Sequence, residues 1–454
     1  MEFKTMYKNA METYAKRTLK SGEAYQIAKK YMTGGETRTI VFFPPHPLTI
    51  DYGKDAYIYD IDGNRYIDFL NNYTSMIHGH AHPEIVNKSI EIIDKGTCYG
   101  SAIEDQIELS NMLCERVPSF ERVRFCNSGT EAVLFAIRAA RAYTKKTGII
   151  KMEGGFHGSC DLVQHSISPN LSLKDNENPW KGYADCLGVP EDVTKDVYVA
   201  PFNNADVVYD ILKANSDKIA AIIVEPALGQ TGAIPPHPGY LKRLRELADQ
   251  FKVVLIFDEV QSFRIGYKGV QGLEGVTPDI STVGKFVGGG YPMAVFGGKK
   301  EIMSIYDPNE NVHIAHSGTF NGNKLAMATG VVSLNLLDEK TIERINEYAK
   351  ILKDGIDSII KSLEIPVSVA IVGSLLHIHF TKEVPTDYAS TVNTYNDYKK
   401  VMHMELLNRG IFIAPRGSIN ISTVMTIDDI SFAINAFKEV LPMIKPLFQN
   451  EALN

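Results

Sequence analysis

The sequence predicts an α/β protein, with a large domain built on a mostly parallel sheet and a second, smaller α+β domain. Three observations carry that expectation. IAAIIVEP (219–226) and VVLIFDEV (253–260) are continuous apolar runs that end in carboxylates, the pattern of strands buried on both faces of a parallel sheet. HPGYLKRLRELADQF between them has the make-up of a crossover helix. The strand–helix–strand rhythm extends over roughly residues 75–330, which defines the α/β domain.

The other elements follow in chain order. Residues 1–30 read as a helical arm ended by the TGG of 33–35. YGKDAYIYDIDGNRYIDF (52–69) reads as two short strands joined at Asp62-Gly63, a peripheral layer that places residues 1–74 with the smaller domain. RVRFC reads as a strand, and 127–144 as a helix with apolar residues at i, i+3 and i+4. In the tail, 340–364, 388–409 and 427–448 read as helices. VAIVGSLLHIHF (369–380) and the stretch 410–424 read as strands, so 331–454 forms most of the smaller domain.

Bulk composition narrows the function classes. The chain has 454 residues, 44% apolar and 22% charged, enough for two or three units with large cores. The formal charge is -7 and no Lys/Arg block is interleaved with aromatics, which argues against nucleic acid as a partner. The five cysteines show no C-x-x-C pair or metal spacing and read as reduced thiols. No stretch approaches the ~20 apolar residues of a membrane span. The N-terminal residues lack a signal peptide's apolar core, so a cytoplasmic location is expected.

Several residues carry chemistry. Asp258 closes the most apolar strand, at the edge where open α/β sheets bind ligands. It reads either as a buried anion facing a cationic group or as a helix cap or partner of Arg264. Lys285, in STVGKFVGGGYPMAVFGG, is a lone charge among glycines that leave room for a close approach. A poorly solvated lysine can lose its proton and form a Schiff base with a carbonyl; the alternative is a surface lysine. Ser128, Gly129 and Thr130 stand where a helix begins, an anion site suited to phosphate. The Ser128/Glu131 spacing equally fits a capping box. Phe156, in GGFHG, is placed to lie flat on a heterocycle or to pack in the core, and His157 reads as an orienting or structural group. The HGHAH histidines fit no metal spacing, and no metal is expected.

Taken together, LIFDEVQSFR, GVTPDISTVGK, GGGYPMAVFGG and HSGTFNGN resemble, in that order, the class-III aminotransferases of pyridoxal-phosphate fold type I. The resemblance runs from about residue 30 to 445 and is nearest the glutamate-1-semialdehyde aminomutase-like branch. It implies a large domain with a seven-stranded, mostly parallel sheet, the cofactor pyridoxal 5′-phosphate, an amino donor and a keto-acid acceptor. It further implies that Lys285 bonds the cofactor and later shuttles a proton, and that Asp258 keeps the pyridine nitrogen protonated. By the same resemblance Ser128, Gly129 and Thr130 hold the phosphate, Phe156 and Val260 cover the two ring faces, and Glu225 lies near the cofactor. Thr319 would reach the phosphate of a neighbouring subunit's cofactor, which implies a homodimer.

The substrate is read from two arginines. Aminomutases of the branch carry a glutamate-bearing FEAxF-type segment where this chain has IFIAPRGSINIST (411–423). That segment, and GGETRTIVFF near the N-terminus, instead resemble β-amino-acid and aromatic-amino-acid transaminases. Arg38 and Arg416 would then grip carboxylates, a geometry that suits the guanidinium fork. Each reads otherwise as a loop or strand-end charge. Phe42, Phe43 and Tyr73 could line an apolar side-chain pocket or pack in the core. The expected donor is an apolar or aromatic amino acid, above all a β-amino acid such as 3-amino-3-phenylpropanoate, with 2-oxoglutarate or pyruvate as acceptor. A racemase, a D-amino-acid transaminase, an aminomutase and a non-catalytic cofactor-binding protein are the alternatives.

Overall fold

A computed structural model describes residues 2–173, 179–392 and 394–450. The chain divides into two compact units: a small one of residues 1–82, 344–384 and 392–454, and a large one of 83–343 and 385–391.

The small unit opens with the helices Phe3–Arg17 and Leu19–Ala28. Three strands follow, β1 (Ile50–Lys54), β2 (Tyr57–Asp60) and β3 (Arg65–Asp68), where the sequence reading has two. The extra strand is almost wholly exposed, so it carries no apolar alternation to reveal it. Asp55 and Gly63 take positive φ (54° and 88°) in the two turns, and Asp60 Oδ1 accepts from the amides of Asp62 and Asn64.

The large unit holds β4 (Arg122–Cys126), β5 (Gly148–Met152), β6 (Val197–Ala200), β7 (Ile219–Val224), β8 (Val254–Asp258), β9 (Ile280–Gly284) and β10 (Ala294–Gly298). They form one seven-stranded sheet in the order β4-β10-β9-β8-β7-β5-β6. β10 alone runs antiparallel to its neighbours, so β4 points the same way as β5–β9. Every residue of β7 and β8 is buried, as continuous apolar runs require. The helix Gly129–Thr144 packs on β9 and β10 through Ala132, Val133, Ala136, Ile137 and Ala140, all with no exposed area. Its small side chains let helix and sheet come close. Each fully buried Ile, Leu or Phe of this core contributes about 1.5–3 kcal/mol relative to exposure.

In the tail, 369–380 is a hairpin and not a single strand: β11 (Ser368–Val372) and β12 (Leu375–His379) pair antiparallel, with Gly373 turning at φ 55°. β13 (Ile411–Phe412) runs parallel to β3, and β14 (Ser418–Asn420) pairs with β12. The helix expected over 388–409 spans only Lys399–Asn408. Before it, Ser390 Oγ accepts from the amides of Thr386 and Asp387, and such local side-chain bonds compete with helix. The C-terminal helix is Ile427–Asn450. Among the described residues no helix is long and apolar enough to cross a membrane.

Candidate active site

Four neighbouring parallel strands, β9, β8, β7 and β5, deliver the candidate residues at their carboxyl ends. Lys285 follows β9, Asp258 ends β8, Glu225 follows β7, and the turn after β5 carries Phe156 and His157. β4 ends on the same edge and leads into Ser128, Gly129 and Thr130. The strand ends surround a cavity of about 160 Å³ lined by Gly129, Thr130, Phe156, His157, Glu225, Asp258, Val260 and Lys285. Gly158 and Gln261 also line it, and the sequence reading passed over both. Gly158 packs so closely on Thr130 that a Cβ there would stand 2.5 Å from Thr130 Oγ1.

Asp258 is fixed on both oxygens. Oδ1 accepts from Thr282 Oγ1 at 2.9 Å and from Val260 N at 3.1 Å, and Oδ2 lies 2.9 Å from His157 Nδ1. The carboxylate is only 4% exposed, so these contacts decide its orientation. His157 is fully buried, and burial pushes its pKa down while Asp258 opposes the shift. Its Nδ1 contact holds the Asp258 carboxylate in place, where the sequence reading has an orienting or structural group. Thr282 was missed because a threonine inside an apolar strand carries no signal of its own.

Lys285 takes a left-handed backbone conformation, φ 59°, which is unusual for a side-chain-bearing residue and typical of constrained functional positions. Two of its flanking glycines are explained by protein packing. A Cβ on Gly289 would stand 2.5 Å from Thr329 O, and one on Gly288 would meet Met293 Cβ at 3.1 Å. Gly288 and Gly289 thus admit the turn before β10 and the helix Lys324–Leu336.

At the start of the helix Gly129–Thr144, the capping box and the anion site coexist. Ser128 Oγ accepts from Glu131 N, and Glu131 Oε2 accepts from the amides of Asn127 and Ser128. The cap leaves the amides of Gly129 and Thr130, the two residues of this turn that line the cavity. Glu225 binds backbone with both oxygens, Oε1 to Phe156 N (2.8 Å) and Oε2 to Gly229 N (3.1 Å). Burial first, and Asp258 second, push its pKa up to about 7. Lys151, buried on β5, donates to Gly155 O at 3.0 Å and to His165 O, bracing the loop that carries Phe156 and His157. Burial pulls its ammonium down to about 8.

Thr319 is exposed and does not join this cavity; its neighbours His316, Ser317 and Gly318 line another cavity of about 570 Å³.

The substrate-side candidates belong to the small unit. Arg38 and Arg416 lie over the Tyr73 ring, 5.9 and 5.6 Å from its centroid. Arg38 Nη1 also donates to Asn72 Oδ1 at 3.0 Å, and Tyr73 Oη to Ile40 O at 2.7 Å. Tyr73 sits on a left-handed turn: Asn71, Asn72, Tyr73 and Thr74 have φ of 49°, 44°, 55° and 77°. The turn is braced by Asp68, whose Oδ1 accepts from the amides of Leu70 and Asn71 and whose Oδ2 meets His80 Nε2 at 2.8 Å. Phe43, buried against Tyr14 and His403, also lines an apolar cavity of about 260 Å³ with Arg38, Leu70, Tyr73 and Phe412. Phe42 is 41% exposed and outside it.

Comparison with known proteins defines the class. The sequence pattern of the family Aminotransferase class-III matches residues 43–444. The chain is 40% identical over 404 residues to glutamate-1-semialdehyde 2,1-aminomutase 2 of Lachnoclostridium phytofermentans, covering 87% of this chain and 92% of that one. Its fold superposes on an omega-transaminase from Sphaerobacter thermophilus with a TM-score of 0.90 and 37% identity, over 93% and 97% of the two chains. A beta-phenylalanine aminotransferase from Variovorax paradoxus gives 0.89 and 30%, over 98% of each. The chain belongs to the class-III aminotransferase family, whose cofactor is pyridoxal 5′-phosphate. The large-unit cavity fits that group. It joins a buried, pre-oriented carboxylate, an amine, two unspent helix-start amides and an aromatic ring in one space.

Proposed function

We propose that this aminotransferase takes its amino group from an apolar or aromatic β-amino acid such as 3-amino-3-phenylpropanoate and passes it to 2-oxoglutarate or pyruvate. The observation that carries the reading is the pairing of Arg38 and Arg416 on one aromatic ring beside an apolar cavity of about 260 Å³. A guanidinium suits a carboxylate, and the apolar walls suit a hydrocarbon side chain. The likeness to the omega-transaminase and the beta-phenylalanine enzyme supports it.

The cofactor supplies the electron sink for bond breaking at the amino-bearing carbon. The chain's own residues supply the rest. Asp258, held by His157, Thr282 and the Val260 amide, would keep the pyridine nitrogen protonated. The amides of Gly129 and Thr130, with Ser128 close by, would hold the phosphate, and Phe156 and Val260 would cover the ring. Lys285 would bond the cofactor and then move the proton from the substrate carbon. Thr319 would serve a second subunit in a homodimer; exposed Val86, Ile90 and Ile93 on one helix face, with exposed Phe320, suit such an interface.

Single-turnover reactions of the holoenzyme test the donor. Racemic 3-amino-3-phenylpropanoate should bleach the visible band of the lysine-bound cofactor, 2-oxoglutarate should restore it, and alanine should act more slowly. Failure with every 3-amino acid would sink the reading. The identity to an aminomutase favours a second one, tested by the 2,1-amino shift of glutamate 1-semialdehyde without any keto-acid acceptor.

A further inference from the structure

The turn after β5 brings Phe156 and His157 to the large-unit cavity without help from helix or sheet, since residues 155–158 belong to neither. Buried backbone outside regular structure needs partners from elsewhere. At the peptide that joins Gly155 to Phe156 both partners are ionisable side chains. Its carbonyl, Gly155 O, accepts from Lys151 Nζ at 3.0 Å, and its amide, Phe156 N, donates to Glu225 Oε1 at 2.8 Å. The two side chains come from neighbouring parallel strands: Lys151 stands beside Ile223 in the β5–β7 register, two residues before Glu225.

The charges match the peptide. A peptide dipole of about 3.5 D has its negative end at the oxygen and its positive end at the N–H. The ammonium meets the first and the carboxylate the second, so each bond is charge-assisted and roughly twice as strong as a neutral one. Lys151 gives a second bond to His165 O, and Glu225 Oε2 accepts from Gly229 N, so both side chains are spent on backbone. Both are buried, a costly place for a charge unless hydrogen bonds offset it. Burial brings Glu225 up to about 7 and Lys151 down to about 8, and between those values both ends still carry charge. The neighbouring peptide is fixed too, with Gly154 N donating to Ser166 O and Gly154 O accepting from Thr231 Oγ1. Gly155 also packs on the His157 ring: a Cβ there would stand 3.1 Å from His157 Nε2. A shift of this one peptide therefore moves both the Phe156 ring and the imidazole that lies 2.9 Å from Asp258.

We propose that Lys151 and Glu225 are paired positioning residues that clamp the Gly155–Phe156 peptide from both ends, and so set the lie of the Phe156 ring on the cofactor and the reach of His157 to Asp258. The clamp rests on the reading that Phe156 and Asp258 face the cofactor, and it is independent of which amino donor is used.

Visible circular dichroism of the holoenzyme reads how the lysine-bound cofactor is held, and hydrogen exchange of the segment 153–159 reads the clamp itself. Lys151→Met, close in length but without donors, should change the first and quicken the second, with exchange in β7 and β8 unaltered. It should lower kcat roughly 10- to 100-fold and leave KM for the amino donor little changed, as when a reacting group is misplaced. Glu225→Leu should do the same. Because both act on one peptide, the double variant should lose little more than either single variant. Lys151→Gln, which keeps a donor without the charge, should show a smaller change of the same sign, and it serves where Lys151→Met does not fold. Lys146→Met, which removes a lysine–carbonyl bond to Ser216 O on the surface, should match wild type. Phe156→Leu separates the clamp from the reading beneath it. A cofactor signal indifferent to Phe156→Leu would reject the placing of Phe156 on the ring, and the clamp's bearing on the cofactor with it. A signal that responds to Phe156→Leu but not to Lys151→Met, or fully additive losses in the double variant, would overturn the clamp alone.

Discussion

The strand ends around Asp258 and the turn around Tyr73 solve opposite problems. At Asp258 the chain is buried, and the sheet aligns one contact directly, Thr282 opposite Asp258 in the β8–β9 register, while His157 and Val260 come from adjoining turns. At Tyr73 the backbone is left-handed over four residues, and positive groups crowd one ring. The first region suits chemistry that must not vary, with its carboxylate held by hydrogen bonds on both oxygens. The second gathers Arg38 and Arg416 on one ring, and under the proposed function an anionic substrate meets them there. The contrast teaches that the Asp258 region is set by sheet topology, whereas the Tyr73 region is set by a left-handed turn braced from distant segments.

The largest effect should come from the rigid side. Lys285→Ala should lower kcat by about 10²–10⁴-fold, the contribution expected of a positioned proton-transfer group, and should abolish the visible band of the lysine-bound cofactor. Retention of that band would show that another amine bonds it. Next, Asp258→Asn should cost about 2–5 kcal/mol of cofactor affinity in an equilibrium titration, because it strips one partner from a buried charged pair. An unchanged affinity would mean that Asp258 serves only the fold.

Glu225 gives a pH signature to the same region. Its folded pKa, about 7, lies above the value of an unfolded glutamate, so the folded state binds more protons between about pH 4.5 and 7. Stability from this group is therefore full at the low end and is lost as pH rises through 7, by roughly 3 kcal/mol at most. Chemical denaturation across that window should show the loss in wild type and not in Glu225→Gln. A parallel pH dependence in both would assign the effect elsewhere.

On the strained side effects should be smaller and should fall on KM. Tyr73→Leu removes a ring shared by two guanidiniums, each contact worth about 0.5–1 kcal/mol where partly exposed, and should raise KM several-fold with kcat little changed. Tyr73→Phe keeps the ring and should stay near wild type. If the two variants behave alike, the hydroxyl bond to Ile40 O matters and the ring does not.

Legibility from sequence follows the same divide. β7, β8 and the helix Gly129–Thr144 announce themselves through continuous apolar runs and a capping spacing, so Asp258, Lys285 and the Ser128–Thr130 turn could be placed at one sheet edge before any coordinates. The exposed strand β1 could not, because a strand without a buried face has no periodic signal. At Gly288 and Gly289 the sequence shows that space is needed but not that a helix and a turn of the same chain fill it. Lys151 is fully buried yet carries no signal in the sequence, since burial of a lysine is set by distant segments. NNYT holds no glycine, and only the two asparagines hint at positive φ. Its braces come from far along the chain: Asn71 Nδ2 donates to Asn420 O and Asn420 Nδ2 to Leu70 O.

Thr74 allows the smallest and sharpest test of strain at that turn. It is β-branched at φ 77°, buried to 5% exposure, and its Oγ1 has no hydrogen-bond partner among the described residues. A left-handed conformation costs a side-chain-bearing residue roughly 1–2 kcal/mol, and the orphaned hydroxyl adds to that. Thr74→Gly removes both costs, while glycine's greater freedom in the unfolded chain takes back about 0.4–1 kcal/mol. The net expectation is a gain of up to about 1 kcal/mol in urea denaturation, at a position where losing a buried side chain ordinarily destabilises. KM should rise modestly, since a turn without a threonine to stiffen it holds Tyr73 less firmly between the arginines. A loss of stability would instead mean that the turn is relaxed here and that its shape is maintained by Asp68 and Asn420 without strain at Thr74.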